Sequence, residues 1–315
     1  MTRAVIRTRY VAPEWVKYGR GGPFDLDAET AYRRWREAKL ASVPARLEDV
    51  LVEVRDPRAL SRGERERMLA LCARHNLAVY RSPTGGCEDK AIPLRLAAQL
   101  GLGRPDLDRN PCADPDGVTP LAVARAGGRA GFVPYSDRAI DWHTDGYYNA
   151  RGQQIHGLIL HCVRPATEGG ENGLYDHELA YIALRDEDPA LVEALMNPAA
   201  MTVPAHVRDG RVLRPARSGP VFSVTREGRL HMRYTRRARN VVWRDDPVLA
   251  RALARLGRLL EGEGTRGLLR HRLAPGEGVV CNNVLHMRTA FRDPEPPAPG
   301  RLLYRARYFL PVGGL

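Results

Sequence analysis

The segment Asp141-Trp142-His143-Thr144-Asp145-Gly146 sets an imidazole and a carboxylate two residues apart. In an extended chain such residues project to the same side, so His143 and Asp145 can reach one cation together. Two histidines and one carboxylate on one face of an octahedron leave three positions open, the arrangement suited to non-haem iron(II) oxygen chemistry. Alone, the triplet is a weak signal that more often marks a surface turn in which Asp145 caps backbone and His143 is merely polar. A third donor must come from elsewhere in the chain, and the candidate is His286. It follows a turn at Gly276, an apolar run over Gly278–Cys281 and a polar bend at Asn282-Asn283. A core histidine bonded to backbone would satisfy the same local pattern.

A cationic feature lies just downstream. In Gly300-Arg301-Leu302-Leu303-Tyr304-Arg305-Ala306-Arg307 strand alternation puts 301, 303, 305 and 307 on one face. Three guanidinium groups on one face call for an anion, because the planar fork pairs bidentately with a carboxylate. Arg301 can thus hold the far carboxylate of a dicarboxylic co-substrate. The alternative is the solvated face of an edge strand.

Several elements must position these groups. Asp25 or Asp27 can cap a helix through Ala28–Lys39, followed by a strand at Val50–Val54. Ser61 with Glu64 forms a capping-box pair opening a helix to about Arg74, and Leu77–Tyr80 reads as a strand. Residues 83–138 are rich in Gly, Pro and Asp, with one short helix near Ile92–Leu100, and lead into the HxD motif. A long irregular stretch so placed reads as a lid. Short apolar runs then recur at Ile155–Val163, Val221–Val224, Leu230–Tyr234, Gly278–Cys281 and Leu302–Leu310. Helical patterns interrupt them at Glu178–Leu184, Pro189–Met196 and Pro247–Leu260. Short strands separated by turn residues suggest a sandwich or barrel.

Composition narrows the class. The 315 residues are 43% hydrophobic, enough for a sizeable core, and no apolar run approaches the length of about 18 residues needed to span a bilayer. Met1–Tyr10 lacks the apolar stretch of a secretory signal. The five cysteines are scattered without a CxxC pair, which fits neither a disulfide framework nor a zinc site. The expected location is cytoplasmic. The formal charge of +12 comes from dispersed arginines, with only Lys17, Lys39 and Lys90 as lysines. No nucleic-acid motif accompanies it, so a small-molecule partner is expected and neither nucleic acid nor membrane. A homo-oligomer is left open.

Taken together, HTD after a tryptophan, the LHMRTAF histidine and RLLYRARY resemble the taurine and 2,4-dichlorophenoxyacetate dioxygenase family (TauD/TfdA), iron(II)/2-oxoglutarate enzymes. The resemblance runs from about Leu47 to Leu310 and includes the VEV strand and the LAVYR segment. It implies that His143, Asp145 and His286 ligate Fe(II) and that Arg301 pairs with the distal carboxylate of 2-oxoglutarate. Arg305 matches a position that faces substrate or co-substrate in some members. The implied fold is mainly β with flanking helices (α+β), built on a double-stranded β-helix, a cupin-like jelly-roll. The implied reaction consumes dioxygen and 2-oxoglutarate, releases succinate and carbon dioxide, and hydroxylates or desaturates a small anionic or amino-acid-like substrate. Asp145 stands where a halogenating enzyme would need an open position. The chain departs from the family where many members have a GGDT-like stretch: here it reads Gly169-Gly170-Glu171-Asn172, and Asn172 is the candidate for the threonine's contact to 2-oxoglutarate. The division expected is an N-terminal arm with one helix over 1–45 and a dioxygenase domain over 46–315, with the lid at 83–138. The competing reading is a jelly-roll protein that binds a metal or anion without turnover, as a sensor would.

Overall fold

The computed structural model describes residues 19–107, 112, 114–208, 210–262, 265–295 and 297–314. Residues 1–18 of the expected arm lie outside the described residues.

Two β-sheets face each other. The larger has six strands in the order Leu51–Glu53, Leu77–Arg81, Glu277–Cys281, Gly157–Arg164, Leu302–Tyr308, Val118–Leu121. The first pair is parallel and the remaining pairs are antiparallel. The smaller is antiparallel and ordered Leu269–His271, Asn172–Tyr175, Leu285–Arg288, Ile140–His143. Strand alternation sorts the side chains between layers. Leu158, Leu160, Cys162, Val279 and Leu303 of the large sheet meet Leu174 and Leu269 of the small one in a shared core. Ile159, Val280, Ala306 and Tyr308 point the other way, onto the helices Arg62–His75 and Ala91–Gln99. Because both faces of the central strand Gly157–Arg164 are covered, its sequence reads as a nearly unbroken apolar run. In its one buried imidazole, His161, Nδ1 meets the Tyr80 hydroxyl at 2.8 Å while Nε2 has no hydrogen-bond partner. The architecture is a double-stranded β-helix with flanking helices.

The outer face of the small sheet is packed by helices. His177–Glu187, Pro189–Leu195 and Pro247–Glu261 bury Tyr181, Leu191, Leu256 and Leu260 in one cluster with Trp142, Tyr175 and Leu285. Their starts are written locally. Asp246 accepts from the Val248 and Leu249 amides ahead of Pro247, and Asp176 and Asp188 cap the other two. Gly173 is required where the Trp142 indole crosses the sheet, since a Cβ there would lie 2.8 Å from the ring.

The helix Glu29–Leu40 is fastened to this layer by a buried lysine. Lys39 Nζ lies 2.6 Å from Asp176 and 2.5 Å from Glu178 and donates to the Arg74 carbonyl at 2.8 Å. Breaking a buried pair of this kind costs about 3–5 kcal/mol.

The stretch expected as a lid needs correcting in part. Residues 108–111 and 113 lie outside the described residues. Ala91–Gln99 packs under the large sheet, and Val118–Leu121 is that sheet's edge strand, paired with Leu302–Tyr308. The Pro- and Gly-rich composition hid a short strand whose partner is almost 200 residues away, which is about the separation of Val118 and Ala306 in the register. The same pairing removes the edge-strand alternative for the arginine segment. Leu302–Tyr308 is an interior strand, so its arginines are held inside the protein.

Candidate metal centre and anion pocket

Antiparallel pairing of Ile140–His143 with Leu285–Arg288 places His143 directly opposite His286. The ring centroids are 4.3 Å apart. Asp145 follows at a turn closed by Gly146, whose φ of +68° and the Ile155 side chain, 2.5 Å from where a Cβ would sit, both exclude a larger residue. Asp145 Oδ1 lies 3.7 Å from His143 Nε2 and 4.0 Å from His286 Nε2. One donor atom from each of the three lies within 4.8 Å of the others, and among the described residues no other such cluster of three occurs.

The proton arrangement follows from the hydrogen bonds. His143 Nδ1 is 2.9 Å from the Asp141 carbonyl and His286 Nδ1 is 2.8 Å from the Val284 carbonyl. A carbonyl only accepts, so each Nδ1 carries the hydrogen and each Nε2 offers its lone pair to the shared space. Burial, reinforced by the neighbouring His286, pushes His143 down to about 3, and burial lowers His286 as well. Burial works to raise Asp145, but the Arg305 and Arg307 guanidiniums and the two imidazoles outweigh it and hold the carboxyl below the usual range. Its Oδ2 is buried without a hydrogen-bond partner. Two neutral nitrogens and one carboxylate oxygen, converging and under-satisfied, suit a divalent first-row metal.

A residue that sequence reasoning passed over holds this geometry. Asn283 accepts from the Asp145 amide at 2.8 Å and donates to the Asp145 carbonyl at 2.9 Å and the Ile155 carbonyl at 2.7 Å. It does so from a left-handed backbone, φ +49°, which asparagine tolerates better than most residues. The polar pair Asn282-Asn283 directly after a buried strand was the available signal. Asn283→Ala is expected to weaken metal binding about 10- to 100-fold, as loss of an outer partner of a metal ligand does. An anaerobic iron(II) titration of the variant against the parent checks this.

The three arginine positions separate. Arg301 is buried and lines a small cavity with Gly170, Asn172, Arg272, Leu273 and Leu303. Its Nη1 has no partner, burial lowers its pKa to about 10, and its guanidinium lies 5.0 Å from the Phe291 ring centroid. Asn172 stands on the same wall, its Nδ2 3.4 Å from the His271 carbonyl. Arg305 does not line this cavity; its Nη1 sits 3.3 Å from Asp145 Oδ2. Arg307, fully buried, pairs with Asp106 at 2.5 Å and donates to the Tyr148 hydroxyl at 2.8 Å. Arg233, by contrast, is a structural clamp. It donates to the carbonyls of Tyr147, Met201 and Arg217 at 2.5, 3.0 and 2.9 Å.

This fold and centre define a class that sequence comparison also gives. A family model described as taurine catabolism dioxygenase TauD, TfdA family matches residues 41–307, and the chain belongs to that family. Among curated proteins, a uridine-5′-phosphate dioxygenase from Amycolatopsis sp. is 34% identical over 175 residues, 53% of this chain and 60% of that protein. A protein of the same name from Streptomyces sp. is 30% identical over 173 residues, with 53% and 60% covered. The chain therefore matches about 60% of the length of these relatives. Among solved structures, asparagine oxygenase in complex with Fe(II), (2S,3S)-3-hydroxyasparagine and succinate aligns with a TM-score of 0.56 at 18% identity, covering 95% of this chain and 88% of that one. The non-haem iron oxygenase OrfP with Fe and α-ketoglutaric acid aligns at 0.56 and 16%, covering 81% and 82%. At these identities the two structures speak for the fold. No helix among the described residues is long and apolar enough to cross a membrane.

Proposed function

We propose that this protein is an iron(II)- and 2-oxoglutarate-dependent dioxygenase that oxidises a small anionic molecule. The observation that carries the reading is the convergence of one donor atom each from His143, His286 and Asp145, all within 4.8 Å of one another. The donor set fits iron(II), because both imidazoles are neutral and turned lone pair inward while the carboxylate is held ionised. Bound there, iron(II) would supply dioxygen activation coupled to the oxidative decarboxylation of 2-oxoglutarate to succinate and carbon dioxide.

The chain's own residues bind, orient and exclude water. Arg301, with a free Nη1 facing a cavity shared with Asn172, holds the distal carboxylate of 2-oxoglutarate through its fork. Asn172, on the same wall, offers its side-chain amide as a second hydrogen-bonding group for 2-oxoglutarate. Arg305 braces Asp145 and keeps the mouth positive. Asn283, the Thr144 amide bond to the Tyr234 carbonyl and the Tyr234 amide bond to Thr144 Oγ1, both 3.0 Å, hold the HTD segment rigid so that its donors stay in register.

For the substrate, a phosphate-bearing molecule of the nucleoside 5′-phosphate type is favoured over a free amino acid. The curated relatives that match at 30% identity or more carry uridine-5′-phosphate in their names, whereas asparagine oxygenase and OrfP, the latter solved with (3S)-hydroxy-L-Arg, are similar at 18% and 16%. Oxygen-dependent succinate release from 2-oxoglutarate, requiring iron(II) and stimulated by a mononucleotide, is the expected result. Iron binding without any succinate under all substrates would favour the non-catalytic sensor.

A further inference from the structure

Near Asp145 and the Tyr148 ring stand three guanidinium groups that differ in how their charge is met. Arg305 faces Asp145, with Nη1 3.3 Å from Oδ2. Arg307 is paired with Asp106 at 2.5 Å and also donates to Tyr148 at 2.8 Å. Tyr148, three residues past Asp145, then presents its ring to a third guanidinium. Arg214 Cζ lies 5.5 Å from the Tyr148 ring centroid, and Arg307 Cζ lies 5.9 Å from it.

Arg214 ends the strand Arg211–Arg214 of a two-stranded hairpin with His206–Arg208. Its Nη2 donates to the Pro204 carbonyl at 3.1 Å, but its Nη1 is buried with no partner. Burial lowers its pKa, Tyr147 and Tyr148 act the other way, and Arg217 adds repulsion. A structural role for this arginine is already filled in the same region by Arg233, whose guanidinium is consumed by backbone carbonyls. A partly buried guanidinium laid against the Tyr148 ring, with one nitrogen shut in and unpartnered, lacks the anion that would balance it.

We propose that Arg214 receives the phosphate of the substrate, its unused edge making a charge-assisted pair with the phosphate oxygens. A phosphomonoester carries close to two negative charges at neutral pH, so it suits a place where Arg214 and Arg217 stand together. The strand Leu302–Tyr308 sets the layout. At about 3.3 Å per residue, Arg301 and Arg307 are separated by roughly 20 Å along it, with Arg305 and Asp145 between. The co-substrate's carboxylate and the substrate's phosphate thus bind at opposite ends of one arginine line, and neither competes for the other's site.

The inference rests on the oxygenase reading, and the test separates the two. The protein loaded with iron(II) and 2-oxoglutarate without oxygen is titrated with uridine 5′-phosphate, uridine and inorganic phosphate, alongside the variants Arg214→Ala and Arg214→Lys. The parent is expected to bind the nucleotide roughly 30-fold or more tighter than the nucleoside, with inorganic phosphate competing. Arg214→Ala is expected to bring that preference below about threefold, and Arg214→Lys to keep part of it, since charge survives and the fork does not. The 2-oxoglutarate titration of each variant reports that the core is intact. A full preference for the nucleotide in Arg214→Ala overturns the assignment, as does a parent that binds nucleotide and nucleoside equally while still taking up iron and 2-oxoglutarate. A parent that binds neither iron nor 2-oxoglutarate removes the oxygenase reading, and this one with it.

Discussion

Replacing His143 with alanine is expected to abolish 2-oxoglutarate-dependent succinate release, with a loss of about a thousandfold or more, or at least ~4 kcal/mol of transition-state stabilisation. The reason is geometric. Its ring is aimed by a 2.9 Å bond to the Asp141 carbonyl, and its partner across the strand pair is His286. Without it the remaining imidazole and carboxylate provide only two fixed donors, and no other described histidine, cysteine or acid is near enough to replace the third. The trio sits on sheet strands and a tight turn, so the substitution removes a donor without opening the core. Iron(II) titration and succinate release should therefore fail together while thermal unfolding changes little. Retention of coupled turnover in this variant would refute the site.

The second large effect concerns Arg301. Alanine at this position is expected to raise the concentration of 2-oxoglutarate needed for half-saturation roughly 100-fold or more, about 3 kcal/mol, as loss of one member of a buried charge pair does. Lysine should restore only part of it, because a point charge cannot make the two parallel bonds of a guanidinium. The effect should be confined to 2-oxoglutarate, with iron(II) affinity alone near that of the parent, because Arg301 lines a cavity with Asn172 and Leu303 and makes no contact with the histidine–aspartate trio. Measuring the two affinities separately tests that division. A uniform weakening of both would mean that Arg301 supports the sheet and does not bind the co-substrate.

How much of this was legible beforehand depended on the range of the interactions. The helix start at Ser61 was readable because its cap is a bond between neighbours three residues apart, whereas Glu29–Leu40 begins at Ala28 without the side-chain cap expected from Asp25 or Asp27. The HxD pair was readable for the same reason: alternation in a strand is a local property. Val118–Leu121 was lost in a Pro- and Gly-rich stretch because its strand character comes from pairing with Leu302–Tyr308. The arginine face was drawn correctly as a face, yet the roles of its members diverged, since each role depends on the distant groups that meet it.

Sequence alone determined the residue types able to meet a metal, the local caps and turns, and the alternation that sorts buried from chemical side chains. These depend on covalent spacing and backbone geometry within a few residues. Only the tertiary structure decided that His143 and His286 lie opposite each other, that Asn283 clamps Asp145, that Arg233 is spent on carbonyls and that Arg214 is left with an unused edge. The reason is that charge balance and hydrogen-bond satisfaction inside a protein are settled by whichever groups the fold brings together, and in this chain those partners are separated by up to about 200 residues.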